Sequence, residues 1–221
     1  MVYPWTFDRT SGASPPRPLI AVLDYGIGNL RSAEKALQRV GADARLSADP
    51  DEVAAADAVV LPGVGAFGPC ARALRRTGLW DVARRAIESK VPFLGICIGF
   101  QLLYEGSDED PSEPGLGVLA GRVRRLPDGV KHPQMQWNRL TPVGETPSRL
   151  LAEVPEPTWV YFVHSFAAEG TAATTSVCDY GGLVVATAEA GRVWGTQFHP
   201  EKSGATGLAV LANFVQVAGG G

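Results

Sequence analysis

No stretch of about 18 apolar residues occurs in the 221-residue chain, so nothing in it is expected to cross a membrane as a helix. The N-terminus carries aromatics and prolines without a continuous apolar run and does not read as a signal peptide. Cysteine is scarce: Cys70, Cys97 and Cys178 are widely spaced, odd in number and contain no C-x-x-C pair. That argues against a disulfide framework or a structural zinc site and fits a reducing, cytoplasmic compartment. The three histidines form no cluster with metal-ligand spacing, so neither a metal nor a cofactor is expected. Neither sign of charge dominates: 20 basic and 23 acidic residues give −3, too mild to suggest a nucleic-acid or other polyanionic partner. Internal repeats are also missing.

What is present suits one packed α/β domain. Hydrophobic residues make up 45% and charged residues 19%, ordinary for a globular chain of this length. Residues 1–18, crowded with Ser, Gly and Pro, read as a flexible leader, 19–217 as the folded domain and 218–221 as a flexible tail. Short apolar runs at Leu19–Leu23, Ala44–Leu46, Asp57–Leu61 and Pro92–Ile96 read as buried strands. They alternate with helical patterns over Leu30–Val40, Phe67–Arg76, Leu79–Ser89 and Ile98–Tyr104. Such alternation predicts a mostly parallel sheet with helices on both faces. Residues 106–117 read as a polar, proline-containing loop. Closely spaced β-like segments follow, near Gly117–Leu126, Gln134–Leu140, Trp159–Phe166, Thr174–Cys178, Leu183–Ala188 and Val193–Phe198. They predict antiparallel strands added at one sheet edge, before a last helix over about Ala205–Val217.

The strongest chemical signal is Gly95-Ile96-Cys97-Ile98-Gly99, between a strand and a helix. A sharp strand-to-helix turn brings backbone close on both sides, and glycines at −2 and +2 leave room for it. The turn lifts a thiol to a helix N-terminus, where the dipole favours the reactive thiolate. Cys70 and Cys178 lie in ordinary helix and strand patterns and read as core cysteines. A cysteine nucleophile needs a base and a group to orient it. His199 qualifies because Glu201 stands two residues on, with Pro200 keeping the segment extended so that both side chains point the same way. His132 and His164 have no such partner and read as structural. For acyl transfer, the N–H of Ile98 supplies one oxyanion donor, and the Pro62-Gly63-Val64-Gly65 loop after the third strand can supply another. Glycine tolerates both signs of φ, so a peptide of that loop can rotate and switch the site. The same stretch matches G-x-G-x-x-G (Gly63–Gly68), but a ribose-binding acid at the end of a following strand is missing, which sets dinucleotide binding aside.

These segments together resemble class I, triad-type glutamine amidotransferases, whose fold is flavodoxin-like. The resemblance runs from about Ile20 to Val217. It is carried by Asp24-Tyr25-Gly26-Ile27-Gly28-Asn29-Leu30-Arg31-Ser32, Leu61–Phe67, Gly95–Gln101, Tyr161–Phe166 and Thr196–Gly204. The first two of these narrow it to the glutaminase subunits of imidazole glycerol phosphate synthases. The resemblance implies glutamine as substrate, a glutamyl thioester on Cys97, proton transfer by His199 and orientation of His199 by Glu201. It also implies that Gln101 and the Gly63–Gly65 loop line the glutamine and oxyanion region. A (β/α)8 cyclase-synthase subunit is implied as heterodimer partner in histidine biosynthesis, receiving ammonia through a passage screened from water. Asn29, Ser32, Trp137, Asn138 and Tyr161 would face that partner. The family segment Pro-His-Met-Gly-Trp-Asn stands here as Pro133-Gln134-Met135-Gln136-Trp137-Asn138, with glutamine replacing both His and Gly.

Two other readings stay open on the residues: an amidotransferase subunit serving a different acceptor, and a non-enzymatic scaffold of the same fold. The changed 134–136 segment motivates the first; the complete Cys97, His199 and Glu201 set weighs against the second. A general cysteine peptidase would leave the DYGIGNLRS and PGVG segments unexplained.

Overall fold

The computed structural model describes residues 17–144 and 148–220, so residues 1–16 of the expected leader and Gly221 of the expected tail lie outside the described residues. In chain order the strands are β1 (Leu19–Leu23), β2 (Asp43–Ser47), β3 (Ala58–Gly63), β4 (Phe93–Cys97), β5 (Gly106–Ser107), β6 (Asp110–Pro114) and β7 (Arg122–Arg125). They continue as β8 (Gln134–Arg139), β9 (Thr141–Pro142), β10 (Trp159–His164), β11 (Phe166–Ala168), β12 (Thr174–Asp179), β13 (Leu183–Ala190) and β14 (Val193–Thr196). The helices are α1 (Leu30–Arg39), α2 (Pro50–Ala54), α3 (Phe67–Arg76), α4 (Leu79–Glu88), α5 (Ile98–Gln101) and α6 (Gly204–Ala218), with 3-10 turns at Arg149–Leu151 and Pro200–Lys202.

The main sheet runs β2-β1-β3-β4-β14-β13-β12-β9. From β2 to β14 every pairing is parallel, and the remaining three are antiparallel. The apolar strands β3 and β4 sit mid-sheet and are buried at every position, as continuous apolar runs in a doubly covered sheet require. The chain moves one way from β1 to β2 and the other way from β2 through β3 to β4. Right-handed crossovers therefore put α1 on one face and α2–α4 on the other. The packing agrees: α1 contacts α6, whereas α2 and α3 contact α4. This is the α/β fold expected, a mostly parallel sheet with antiparallel strands at one edge.

Several expectations are corrected. The later β-segments do not all join the sheet edge: β8 and β10 pair as a separate antiparallel ribbon, and β11, β7, β5 and β6 form a third sheet. β14 lies inside the main sheet, parallel to β4. The expected loop 106–117 contains β5 and β6. Its acids explain why, since Asp110 and Glu113 of β6 meet Arg72 and Arg75 of α3, and its prolines are tolerated on an edge strand. The helix after the elbow is one turn of α5, with Leu102 and Leu103 continuing as turn and Tyr104 as a bend. α2 was not foreseen, although Asp49 before Pro50 is an N-cap signal; its carboxylate accepts from the N–H groups of Asp51 and Glu52.

Candidate active site

Cys97 ends β4 at φ 55° and ψ −109°, a backbone setting that L-residues other than glycine rarely adopt. Its neighbours explain how the setting is held. A Cβ at Gly95 would stand 2.7 Å from the Gly99 carbonyl oxygen, and one at Gly99 would stand 1.8 Å from that of Leu61. Strand, turn and helix are thus packed backbone to backbone, and Cys97 carries the strain. β14 beside it makes the same allowance, because a Cβ at Gly195 would overlap the ring of buried Phe100.

The segment after β14 carries His199, the expected base. The N–H of His199 donates to the Tyr161 carbonyl at 3.1 Å, and the His199 carbonyl accepts from the Ser203 hydroxyl at 2.7 Å. Pro200 does not keep this segment extended as expected: Pro200–Lys202 is a 3-10 turn with His199 as its N-cap. Proline's fixed φ suits a first helical position as well as an extended one, and the turn still brings the two side chains together. His199 Nδ1–H donates to Glu201 Oε1 at 2.8 Å, with both side chains almost wholly buried. Because a carboxylate only accepts, Nδ1 carries the proton, and Nε2 is left buried without a hydrogen-bond partner among the described residues. Burial alone would push the imidazole down; the Cys97 sulfur and the Glu201 carboxylate outweigh it and carry His199 up to about 10.

A cleft of about 520 Å³ opens over these groups, at the carboxyl ends of the parallel strands, the usual ligand position in open α/β sheets. Asn29, Val64, Gly65, Cys97, Ile98, Gln101 and His199 of the expected set line it. Gly63 lies beside Cys97 in register, at the end of β3. The side chain of Glu201 stands behind His199. Ser32, Trp137, Asn138 and Tyr161 do not line the cleft. The Ser32 hydroxyl donates to Asn29 Oδ1 at 2.9 Å. The Asn138 side-chain amide donates to the Asp179 carbonyl at 2.8 Å. Trp137 and Tyr161 are paired across the β8–β10 ribbon, their rings 6.2 Å apart and edge to face.

Three contributions were not foreseen. Gln197 donates from Nε2 to Cys97 Sγ at 3.7 Å, while its Oε1 accepts from Gln101 Nε2 at 3.0 Å. Gln101 Nε2 also donates to the Phe166 carbonyl at 2.8 Å, so a buried amide chain backs Cys97. Gln197, two residues before His199, could have been noticed by its position alone. Glu109 lines the cleft and accepts from the Phe67 N–H at the start of α3 at 2.8 Å. It comes from the stretch read as a loop, and no local pattern marks it. His164 also lines the cleft; its Nδ1–H donates to the Phe166 carbonyl at 2.8 Å, and burial lowers it to about 4, so the ring is neutral. Cys70 and Cys178 are buried free thiols, burial pushing each up to about 11. Gln134, where the family pattern has His, is buried opposite His164, with Nε2 donating to Cys178 Sγ at 3.7 Å. Among the described residues no group of three or more His, Cys, Asp or Glu is placed to hold a metal ion.

The sequence profile of Glutamine amidotransferase class-I matches residues 21–217. The imidazole glycerol phosphate synthase subunit HisH of Symbiobacterium thermophilum is 48% identical over 197 residues, covering 88% of this chain and 92% of that protein. The protein of the same name from Synechococcus sp. (strain JA-3-3Ab) is 47% identical over 202 residues, covering 89% and 93%. A solved glutamine amidotransferase superposes with a TM-score of 0.72 at 21% identity, covering 90% of this chain and 98% of that one, a likeness of fold.

Proposed function

The chain belongs to the class-I glutamine amidotransferases, and we propose that it is the glutaminase subunit of an imidazole glycerol phosphate synthase, with Cys97, His199 and Glu201 as its catalytic set. The observation that carries this reading is the strained Cys97 beside a buried His199–Glu201 pair at the floor of one cleft. Thiolate on Cys97 attacks the side-chain carboxamide carbon of glutamine, forming a C–S bond while the π electrons move onto oxygen. The N–H of Ile98 and an N–H of the Gly63–Gly65 loop stabilise that oxyanion. When it collapses the C–N bond breaks, and His199 Nε2 gives its proton to the departing ammonia. A water then attacks the thioester with His199 accepting its proton, the C–S bond breaks to return the Cys97 thiolate, and glutamate leaves. Glu201 keeps Nδ1 occupied, so that Nε2 is the nitrogen that exchanges protons with the reacting groups.

Recognition of the substrate follows from the charges lining the cleft. An α-ammonium group requires a fixed carboxylate, and Glu109 presents one whose other hydrogen bond is already made to Phe67. Gln101, its Oε1 buried and unpartnered among the described residues, offers an acceptor to a substrate N–H. Ammonia is passed to a (β/α)8 cyclase-synthase subunit, which forms imidazole glycerol phosphate and AICAR in histidine biosynthesis. Trp137 and Tyr161, with Asn29 and Ser32 near the cleft, belong to the side facing that partner. Trp137 is 49% exposed and Met135, on the same strand face, 61%, an apolar surface that suits a buried interface core. Three unpaired cysteines accord with a cytoplasmic site of action.

The deciding measurement is glutamate release from glutamine by the purified chain, alone and with its synthase partner and acceptor ligand. Strong stimulation by the liganded partner, lost in Cys97→Ala, is the expected result. Activity that depends on Cys97 but ignores the partner would keep the glutaminase and redirect its ammonia to another acceptor. No Cys97-dependent release under either condition would overturn the reading.

A further inference from the structure

Two buried side chains that the mechanism does not use are fastened to the loop that supplies the second oxyanion donor. The Tyr25 hydroxyl, on the segment leaving β1, donates to the Pro62 carbonyl at 2.7 Å. The Cys70 thiol, on the inward face of α3, donates to the Val64 carbonyl at 3.3 Å. Both residues are at most 2% exposed. The Pro62 carbonyl belongs to the Pro62–Gly63 peptide and the Val64 carbonyl to the Val64–Gly65 peptide. Between them lies the Gly63–Val64 peptide, whose N–H belongs to Val64 and whose carbonyl neither side chain holds.

We propose that Tyr25 and Cys70 are positioning residues for glutamine hydrolysis, pinning the peptides on either side of the Gly63–Val64 peptide so that this one alone turns its N–H toward the oxyanion. The proposal rests on the glutaminase reading above.

A single peptide plane turns with little displacement of its neighbours when the ψ before it and the φ after it change in opposite senses. Glycine at position 63 frees the first of these angles. No other residue fits there: a Cβ on Gly63 would stand 2.8 Å from the Tyr25 hydroxyl oxygen and 2.9 Å from Ile98 Cβ. Gly63 is therefore wedged between the Tyr25 hydroxyl and the elbow. Gly65, at φ +94°, holds the far side of the loop in the left-handed region, which favours glycine. Both donors keep their protons at ordinary pH, because burial pushes the Tyr25 phenol far above its usual value and the Cys70 thiol up to about 11. The two groups are also adjacent, so the loop is tied at once to the end of β1 and to α3.

The test compares Tyr25→Phe, Cys70→Ala and Cys70→Ser with the unaltered chain, each assembled with its synthase partner. It reads kcat and KM for glutamate release together with the rate at which iodoacetamide alkylates Cys97, followed by peptide mass. Alkylation needs the thiolate and access but develops no oxyanion. Tyr25→Phe and Cys70→Ala are expected to lower kcat roughly ten-fold, a fraction of the ~10²–10³ that loss of a whole oxyanion donor costs, with KM within about two-fold. Cys97 alkylation should stay at the unaltered rate, and Cys70→Ser, which restores a donor, should recover most of the lost kcat. Unchanged kcat in both deletion variants would overturn the proposal, as would a rise in kcat or a parallel fall of kcat and alkylation. Should Cys70→Ala fail to fold, Tyr25→Phe, which removes one oxygen, carries the test. An unaltered complex without Cys97-dependent glutamate release would instead overturn the glutaminase reading itself.

Discussion

In the proposed mechanism Cys97, His199 and Glu201 contribute in separable ways, and single substitutions separate them. Cys97→Ala removes the sulfur on which the proposed thioester forms and should abolish glutamate release. His199→Ala should be nearly as severe, at about 10³-fold or more, because no other titratable side chain stands where Nε2 does. Glu201→Gln should cost less, since an amide oxygen can still accept from Nδ1 while losing the charge that helps hold the imidazole up. Steady-state kinetics on the three variants check the order. His164 carries a stability prediction instead. Its folded value of about 4 lies below the ordinary 6.5, so between those limits the folded state binds fewer protons than the unfolded one. Stability therefore rises with pH through that window and is lost as pH falls through it, by on the order of 3 kcal/mol in full. His199, raised to about 10, acts oppositely: its contribution is complete below 6.5 and is lost as pH rises toward 10. Urea unfolding between pH 4 and 7 should show the acid limb flattened in His164→Asn, which keeps a donor for the Phe166 carbonyl.

The elbow is the element in which stability and function conflict most directly. At an ordinary position glycine is less stable than alanine by roughly 0.5–1 kcal/mol, because the unfolded chain gains freedom. At φ 55° and ψ −109° that order should be cancelled or reversed, since relief of strain is worth about 1–3 kcal/mol. Cys97→Gly is therefore expected to be at least as stable as Cys97→Ala, both lacking activity; denaturant midpoints decide it. Gly99→Ala should be far worse than either, because its Cβ would fall 1.8 Å from the Leu61 carbonyl oxygen. Helix α5 and strand β3 would have to separate, and the expected readout is loss of soluble, cooperatively unfolding protein.

For the whole molecule, the salient surface feature is the exposed apolar face of the β8–β10 ribbon. Met135, Trp137 and Trp159 are each at least 46% exposed, and the cross-strand register puts Tyr161 and Val163 on the same face. If this surface docks the synthase partner, Trp137→Ala should weaken association by about 2 kcal/mol, roughly thirty-fold in Kd, as loss of a central tryptophan anchor does. Titration calorimetry checks it, and partner-free alkylation of Cys97 should be unaffected. Among the described residues no helix is long and apolar enough to cross a membrane.

The elbow, the His-Pro-Glu segment and the alternation of early strands and helices could all be read from the sequence because each is a local pattern. Glycines flank Cys97 where backbone must approach, a carboxylate stands two residues after His199, and apolar runs mark the buried strands β1, β3 and β4. Polar strands do not announce themselves in this way. β6 exists because Arg72 and Arg75 lie across from Asp110 and Glu113, residues some forty positions apart, and the same long-range pairing delivers Glu109 to the cleft. The 3-10 turn at Pro200 was equally hidden, since proline's φ suits both an extended chain and a first helical turn. Which strands leave the main sheet, which amides stand behind Cys97 and which side chains fasten the Gly63–Val64 peptide depend on contacts between distant segments. The sequence by itself determined the fold class and the family and pointed to Cys97; only the tertiary structure decided what surrounds that residue, because hydrogen bonds and charges between distant segments leave no periodicity to read.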